Sequence, residues 1–116
     1  MKCKFELLHI GINTPDTEQA EDLAKLFCMM FNIEPKSGNK SVFAGPYFEL
    51  MKSPFLGTNG HIAMGTPDLA AAVEELKGKG CSFNMDTAAY NEQGHIKNVY
   101  LDGEYGGFAI HIMQKK

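Results

Sequence analysis

Among the residues of this chain with side chains suited to metal chemistry, four stand out: His9, Glu49, His61 and His111. Imidazole nitrogens and carboxylate oxygens are the usual ligands for zinc, nickel, cobalt, iron or manganese. Three neutral histidines and one glutamate around a divalent ion leave roughly one net positive charge. A five- or six-coordinate ion then keeps positions for water or for a substrate that binds through two oxygens. A solitary histidine on a half-buried strand is more often a hydrogen-bonded core residue than a ligand. A solitary carboxylate between Phe48 and Leu50 is costly to bury unpaired. What raises the four above those readings is that they recur at matching places in a repeat.

The stretch His9-Ile10-Gly11-Ile12-Asn13-Thr14-Pro15-Asp16 is echoed by His61-Ile62-Ala63-Met64-Gly65-Thr66-Pro67-Asp68. Gly45-Pro46-Tyr47-Phe48-Glu49-Leu50-Met51 is likewise echoed by Gly107-Phe108-Ala109-Ile110-His111-Ile112-Met113. Two copies of one unit, the second longer by about ten residues, account for both echoes. His9 and His61 then stand on the first strand of each copy, and Glu49 and His111 on the last.

Each copy reads β-α-β-β-β. Residues 5 to 13 alternate as a strand, with Leu8, Ile10 and Ile12 facing a helix and Leu7, His9, Gly11 and Asn13 facing the other way. Thr14 is the expected N-cap of a helix with Pro15 in its first turn, running to about Phe31. Its apolar stripe is Ala20, Leu23, Ala24, Phe27, Met30 and Phe31, which places Met29, Met30 and Phe31 in the core. A short strand at 33–36 and a hairpin of 41–44 with 47–52 complete the first copy. In the second, a strand at 61–65 leads to a helix capped by Thr66, with a stripe of Leu69, Ala72, Val73 and Leu76. Strands at 81–84, 95–101 and 107–114 follow, and the polar stretch 85–94 is the extra length, a loop. His9, Glu49, His61 and His111 all fall on the rows turned away from the helices. Two such units enclose a cavity lined by those rows, and Met51, Met64 and Met113 beside them would give it adaptable apolar walls.

The totals exclude several classes of function. The 116 residues suit one domain, with 44% hydrophobic and 22% charged residues. A net charge of −3 offers no electrostatic footprint for nucleic acid or an anionic membrane. All 11 basic residues are lysines, so no bidentate guanidinium clamp exists for carboxylate or phosphate. Cys3, Cys28 and Cys81 form no CxxC pair and, being odd in number, argue for a reducing cytoplasm. No apolar run approaches the ~18–20 residues of a membrane span, and Glu6 and His9 interrupt any leader-like start.

With those residues in place, the chain resembles the vicinal oxygen chelate superfamily, which includes glyoxalase I, fosfomycin-resistance proteins, extradiol dioxygenases and bleomycin-resistance proteins. The resemblance covers nearly the whole chain and implies an α+β fold: a single glyoxalase-like domain over 1–116, with module one at about 5–52 and module two at about 60–114. It implies that His9, Glu49 and His61 bind a divalent transition metal, with Glu49 also able to move a proton, and the repeat adds His111 to this ligand set. His111 departs from the glyoxalase pattern, which usually has glutamate there. The segments Ser41-Val42-Phe43-Ala44-Gly45, Met51-Lys52-Ser53-Pro54, Gly60-His61-Ile62-Ala63 and Gly106-Gly107-Phe108-Ala109-Ile110-His111 look like the glyoxalase-like domain behind some bacterial 2-keto-3-deoxy-sugar-acid aldolases. The implied activity is isomerase or lyase chemistry on a small α-keto or α-hydroxy carbonyl compound. The alternative is a non-catalytic binding protein of the bleomycin-resistance type. The implied partners are a small molecule and a second copy of the chain, as a homodimer.

Overall fold

A computed structural model of the protein describes residues 2–115. In chain order its elements are β1 (Glu6–Asn13), α1 (Thr17–Phe31), β2 (Pro35–Ser37), β3 (Ser41–Ala44) and β4 (Phe48–Met51). The same plan follows in β5 (Gly60–Thr66), α2 (Leu69–Gly78), β6 (Phe83–Tyr90), β7 (Ile96–Leu101) and β8 (Phe108–Gln114). This is the expected β-α-β-β-β plan, twice. All eight strands join one curved sheet in the order β2-β3-β4-β1-β5-β8-β7-β6. The modules meet where β1 pairs antiparallel with β5, Ile10 opposite Ile62 and Gly11 opposite His61. On either side of that seam β4 runs parallel to β1 and β8 parallel to β5.

Each helix seals its own module. Ala20 and Ala24 of α1, both almost fully buried, let the helix approach Val42, Ala44 and Leu50 closely. Leu69 and Val73 of α2 pack on Val99, Leu101 and Ile112. Burying a Leu or Val side chain is worth roughly 1.5–3 kcal/mol, so these two clusters dominate the stability of the halves. Helix α1 lies over β2, β3 and β4, and α2 over β7 and β8. Ile10 and Ile62, at the seam between them, are only partly buried.

Several local expectations are corrected. The helix N-caps are Asp16 and Asp68, not Thr14 and Thr66: Asp16 Oδ1 accepts from the Gln19 N–H at 2.8 Å and Asp68 Oδ1 from the Ala71 N–H at 3.1 Å. The Thr14 hydroxyl instead donates to the Met51 carbonyl at 2.6 Å, tying the end of β1 to β4. Thr66 is fully buried and its Oγ1 has no partner. Met29, Met30 and Phe31 are exposed rather than core. Phe31 still stacks one face on Phe48 of β4 at 6.3 Å, so the end of the helix covers the sheet with a half-exposed side chain. Asn32, in the left-handed conformation (φ 55°), closes the helix by donating to the Cys28 carbonyl.

Two irregularities redraw the strands. The β1–β5 register slips between Leu7 and His9. Leu8 is the extra residue, and its methyls reach over Gly65 in the row of His61 and Ala63 instead of joining the helix-facing row. Strand β6 runs through Phe83–Tyr90, so most of the predicted loop is strand. Its ladder breaks between Asn84 and Ala89, where Thr87 Oγ1 accepts from the Tyr100 N–H at 2.9 Å and donates to the Asn84 carbonyl at 2.6 Å. A threonine side chain thus fills the gap a bulge leaves in the ladder, which a polar sequence conceals. Strand β2 starts two residues later than predicted, at Pro35.

Candidate functional site

Strand register builds the site. Glu49 on β4 and His61 on β5 both lie opposite Gly11 on β1, so Glu49, Gly11 and His61 form one row across the sheet. His9, two residues before Gly11, shares that face, and Ala63 stands between His9 and His111 in the neighbouring row. Gly11 presents only backbone here. A Cβ at this position would fall inside the His61 ring, so glycine is what lets that imidazole lie across β1 toward Glu49.

His9, Glu49 and His61 converge. Glu49 Oε1 lies 3.2 Å from His9 Nε2 and 3.1 Å from His61 Nε2, and the two Nε2 atoms are 3.3 Å apart. Ligand atoms each about 2.0–2.2 Å from a shared ion stand roughly 3.0–3.5 Å from one another, so the triangle has the size of a metal coordination edge. Two imidazoles and one carboxylate also match zinc, iron, nickel, cobalt or manganese in donor type. The residues present therefore fit a divalent transition metal. His61 is buried, and its Nδ1 has no hydrogen-bond partner.

His111 sits beside the triangle rather than within it. Its ring stacks on Tyr100, 4.1 Å between centroids and 1° from parallel, and lies edge-on to His61 at 6.1 Å. Its Nε2 is buried without a partner. Burial, reinforced by His61 and His9 and opposed by Glu49, pushes the His111 pKa down to about 4. Burial, together with the nearby Glu49 charge, pushes the Tyr100 phenol up to about 12. For Glu49, burial alone would raise the pKa. Hydrogen bonds from His61, His9 and Ser41 outweigh it and hold the carboxyl well below the usual carboxylate range.

The triangle and His111 line a cavity of about 780 Å³ walled by Phe43, Met51, Phe55, Tyr100 and Met113. Met51 and Met113 fall where the repeat placed them. Met64 does not: it packs against the second core, on the helix side of β5. A second depression of about 630 Å³, between α2 and the β6–β7 hairpin, contains His95 but none of the four site residues. Sequence reasoning missed Ser41, Tyr100 and Gly11. Strand alternation carries a signal for the first, since Ser41 lies opposite Met51 and Phe43 opposite Glu49. His9 packs edge-on against that Phe43 at 5.6 Å.

No family model and no curated protein matches this chain. Solved structures do. A hypothetical protein from Bacillus halodurans C-125 is 18% identical, with 97% of this chain and 96% of that one covered at a TM-score of 0.67. Methylmalonyl-CoA epimerase from Mycobacterium tuberculosis is 15% identical, covering 95% of this chain and 87% of that one at 0.62. A variant of Streptomyces coelicolor methylmalonyl-CoA epimerase in complex with 2-nitronate-propionyl-CoA is 16% identical, covering 94% and 93% at 0.60. The fold is thus that of the glyoxalase-like proteins: α+β, with two β-α-β-β-β modules in one open sheet. Among the described residues no helix is long and apolar enough to cross a membrane.

Proposed function

We propose that this chain is a single glyoxalase-like domain of the vicinal oxygen chelate type, and that it is a metal-dependent isomerase or lyase acting on a small α-keto or α-hydroxy carbonyl compound. The observation that carries this reading is the His9–Glu49–His61 triangle with its 3.1–3.3 Å edges inside a cavity. His9, Glu49 and His61 would hold the ion, and His111, stacked on Tyr100 beside them, is the candidate fourth ligand. A divalent ion there would supply Lewis acidity toward a substrate offering two neighbouring oxygens, as a carboxylate beside a carbonyl does. Methylmalonyl-CoA, named for several of the structural neighbours, carries a carboxylate and a thioester carbonyl on either side of one carbon, and their epimerase activity supports isomerase chemistry first.

The chain's own residues do the rest. Glu49 is the one carboxylate among the residues lining the cavity, so removing a proton beside a carbonyl falls to it once its Oε1 is released from the histidines. His111, neutral because it is buried, is the second candidate carrier. Phe43, Phe55 and Tyr100 exclude water from the faces of a small substrate. These same aromatic and methionine walls favour the second reading, a binding protein of the bleomycin-resistance type that sequesters its ligand without turnover. We further propose a cytoplasmic homodimer. The three free cysteines suit a reducing compartment, and the partly exposed Ile10 and Ile62 between the helices offer an apolar surface to a second copy.

Metal analysis of untagged protein tests the centre. About one equivalent of a transition metal, lost in His61→Ala, is the expected result. No metal after incubation with zinc, nickel, iron and manganese would remove the enzyme reading. Turnover of a dicarbonyl and keto-acid panel, abolished by a chelator, then separates enzyme from binding protein.

A further inference from the structure

Ser41 has no part in the chemistry described so far, yet it makes the contact that decides how Glu49 is presented. It is the first residue of β3, 5% exposed, and its hydroxyl donates to Glu49 Oε2 at 2.7 Å. The other oxygen, Oε1, alone meets both histidines. The carboxylate is therefore divided between a serine and the triangle.

We infer that Ser41 is a positioning residue that fixes Glu49 as a one-oxygen ligand, reserving the remaining metal positions for substrate. This rests on the metal reading above. A free carboxylate can close on an ion with both oxygens. One whose second oxygen accepts a short hydrogen bond from a buried hydroxyl is held back from doing so, because the bond would have to break. The second module provides an internal contrast. There Asn98 lies opposite Met113 as Ser41 lies opposite Met51, and His111 stands where Glu49 does. His111 Nε2 has no partner, and its ring rests on Tyr100 instead of over the triangle. The side chain with a hydroxyl tether is in the cluster, and its counterpart is not.

The test replaces Ser41 in the full chain and reads the metal directly. Cobalt(II) is titrated into wild type, Ser41→Ala and Ser41→Thr, with affinity taken from competition against a chelator and coordination number from visible absorption. Outer hydrogen-bond partners of metal ligands typically contribute 10–100-fold in affinity. Ser41→Ala is expected to shift cobalt affinity by that order and to weaken the visible bands as the freed Oε2 raises the coordination number. Ser41→Thr, which keeps the hydroxyl, is expected to restore the wild-type spectrum. Identical affinity and spectrum in wild type and Ser41→Ala would overturn the inference while leaving the metal centre standing. Absence of cobalt binding in wild type would instead remove the reading beneath it. Circular dichroism separates misfolding from either result, and if Ser41→Ala is misfolded, Ser41→Gly, which also lacks the hydroxyl, is read in its place by the same two measurements.

Discussion

The imidazole of His61 lies over Gly11, in the space a side chain would fill. The two residues are register partners across the β1–β5 seam, so a backbone position in one module sets the orientation of a ligand-type side chain in the other. Gly11→Ala is therefore expected to push His61 off the triangle. The predicted outcome is a loss of metal affinity of at least about tenfold and destabilisation of about 1–3 kcal/mol from overpacking. Metal stoichiometry and urea denaturation measure the two effects, and an alanine variant with both unchanged would contradict the role given to Gly11.

Glu49 gives the fold an acid sensitivity of known sign. Its carboxyl titrates below the unfolded value of 4.5, so the folded state favours the ionised form. The contribution is complete above pH 4.5 and is lost as pH falls below it toward the folded pKa. Glu49→Gln should show a shallower loss of stability than wild type on acidification from pH 5 to pH 3, read by chemical denaturation of metal-free protein at each pH.

His111 acts over a higher window. Its folded pKa of about 4 lies below the ordinary 6.5, so protons bind the unfolded chain first and stability declines as pH falls from 6.5 toward 4. His111→Phe removes this dependence while keeping a ring against Tyr100. Between pH 7 and pH 4.5 the variant should lose less stability than wild type. Its metal affinity should also suffer less than that of His9→Ala or His61→Ala. A loss equal to theirs would place His111 among the ligands.

The paired threonines differ in sign. Thr14 donates to the Met51 carbonyl, so Thr14→Val leaves a buried acceptor unpaired and should cost about 1–3 kcal/mol. Thr66 has the same place in the repeat, but its buried hydroxyl has no partner, and Thr66→Val should be neutral or stabilising. Thermal melts of the two variants side by side decide the matter; destabilisation by Thr66→Val would reveal a partner for that hydroxyl.

Much of this architecture is legible in the residues because repetition and alternation are one-dimensional signals. The Thr-Pro-Asp echo marks both strand-to-helix turns, and the alternation around His9, Glu49, His61 and His111 places all four on the face away from the helices. What escapes is decided by single hydrogen bonds or by register. Asp16 and Asp68, each immediately before the first helical residue, accept the capping N–H, while the threonines two residues earlier stand at the strand ends. The strand through Asp86 and Thr87 looks like a loop because Thr87 replaces ladder bonds with its own side chain. Ser41 looks like any strand serine until Glu49 is found opposite Phe43, two residues along the strand. His111 matches Glu49 in the repeat, but its aromatic neighbour Tyr100 draws the ring aside.

The seam between the modules has a consequence separate from stability. The two apolar clusters lie to either side of it and, apart from Phe5 in the second, each would keep its own residues if the halves slid past one another by a pair of residues. The triangle would not, since His9 and Glu49 come from one half and His61 from the other. Gly60 permits the observed alignment: a Cβ there would collide with the Gly11 carbonyl. Alignment of the reactive groups thus depends on two bare backbone positions, Gly11 and Gly60. A side chain added at either position is expected to misalign the centre as well as to lower the melting temperature.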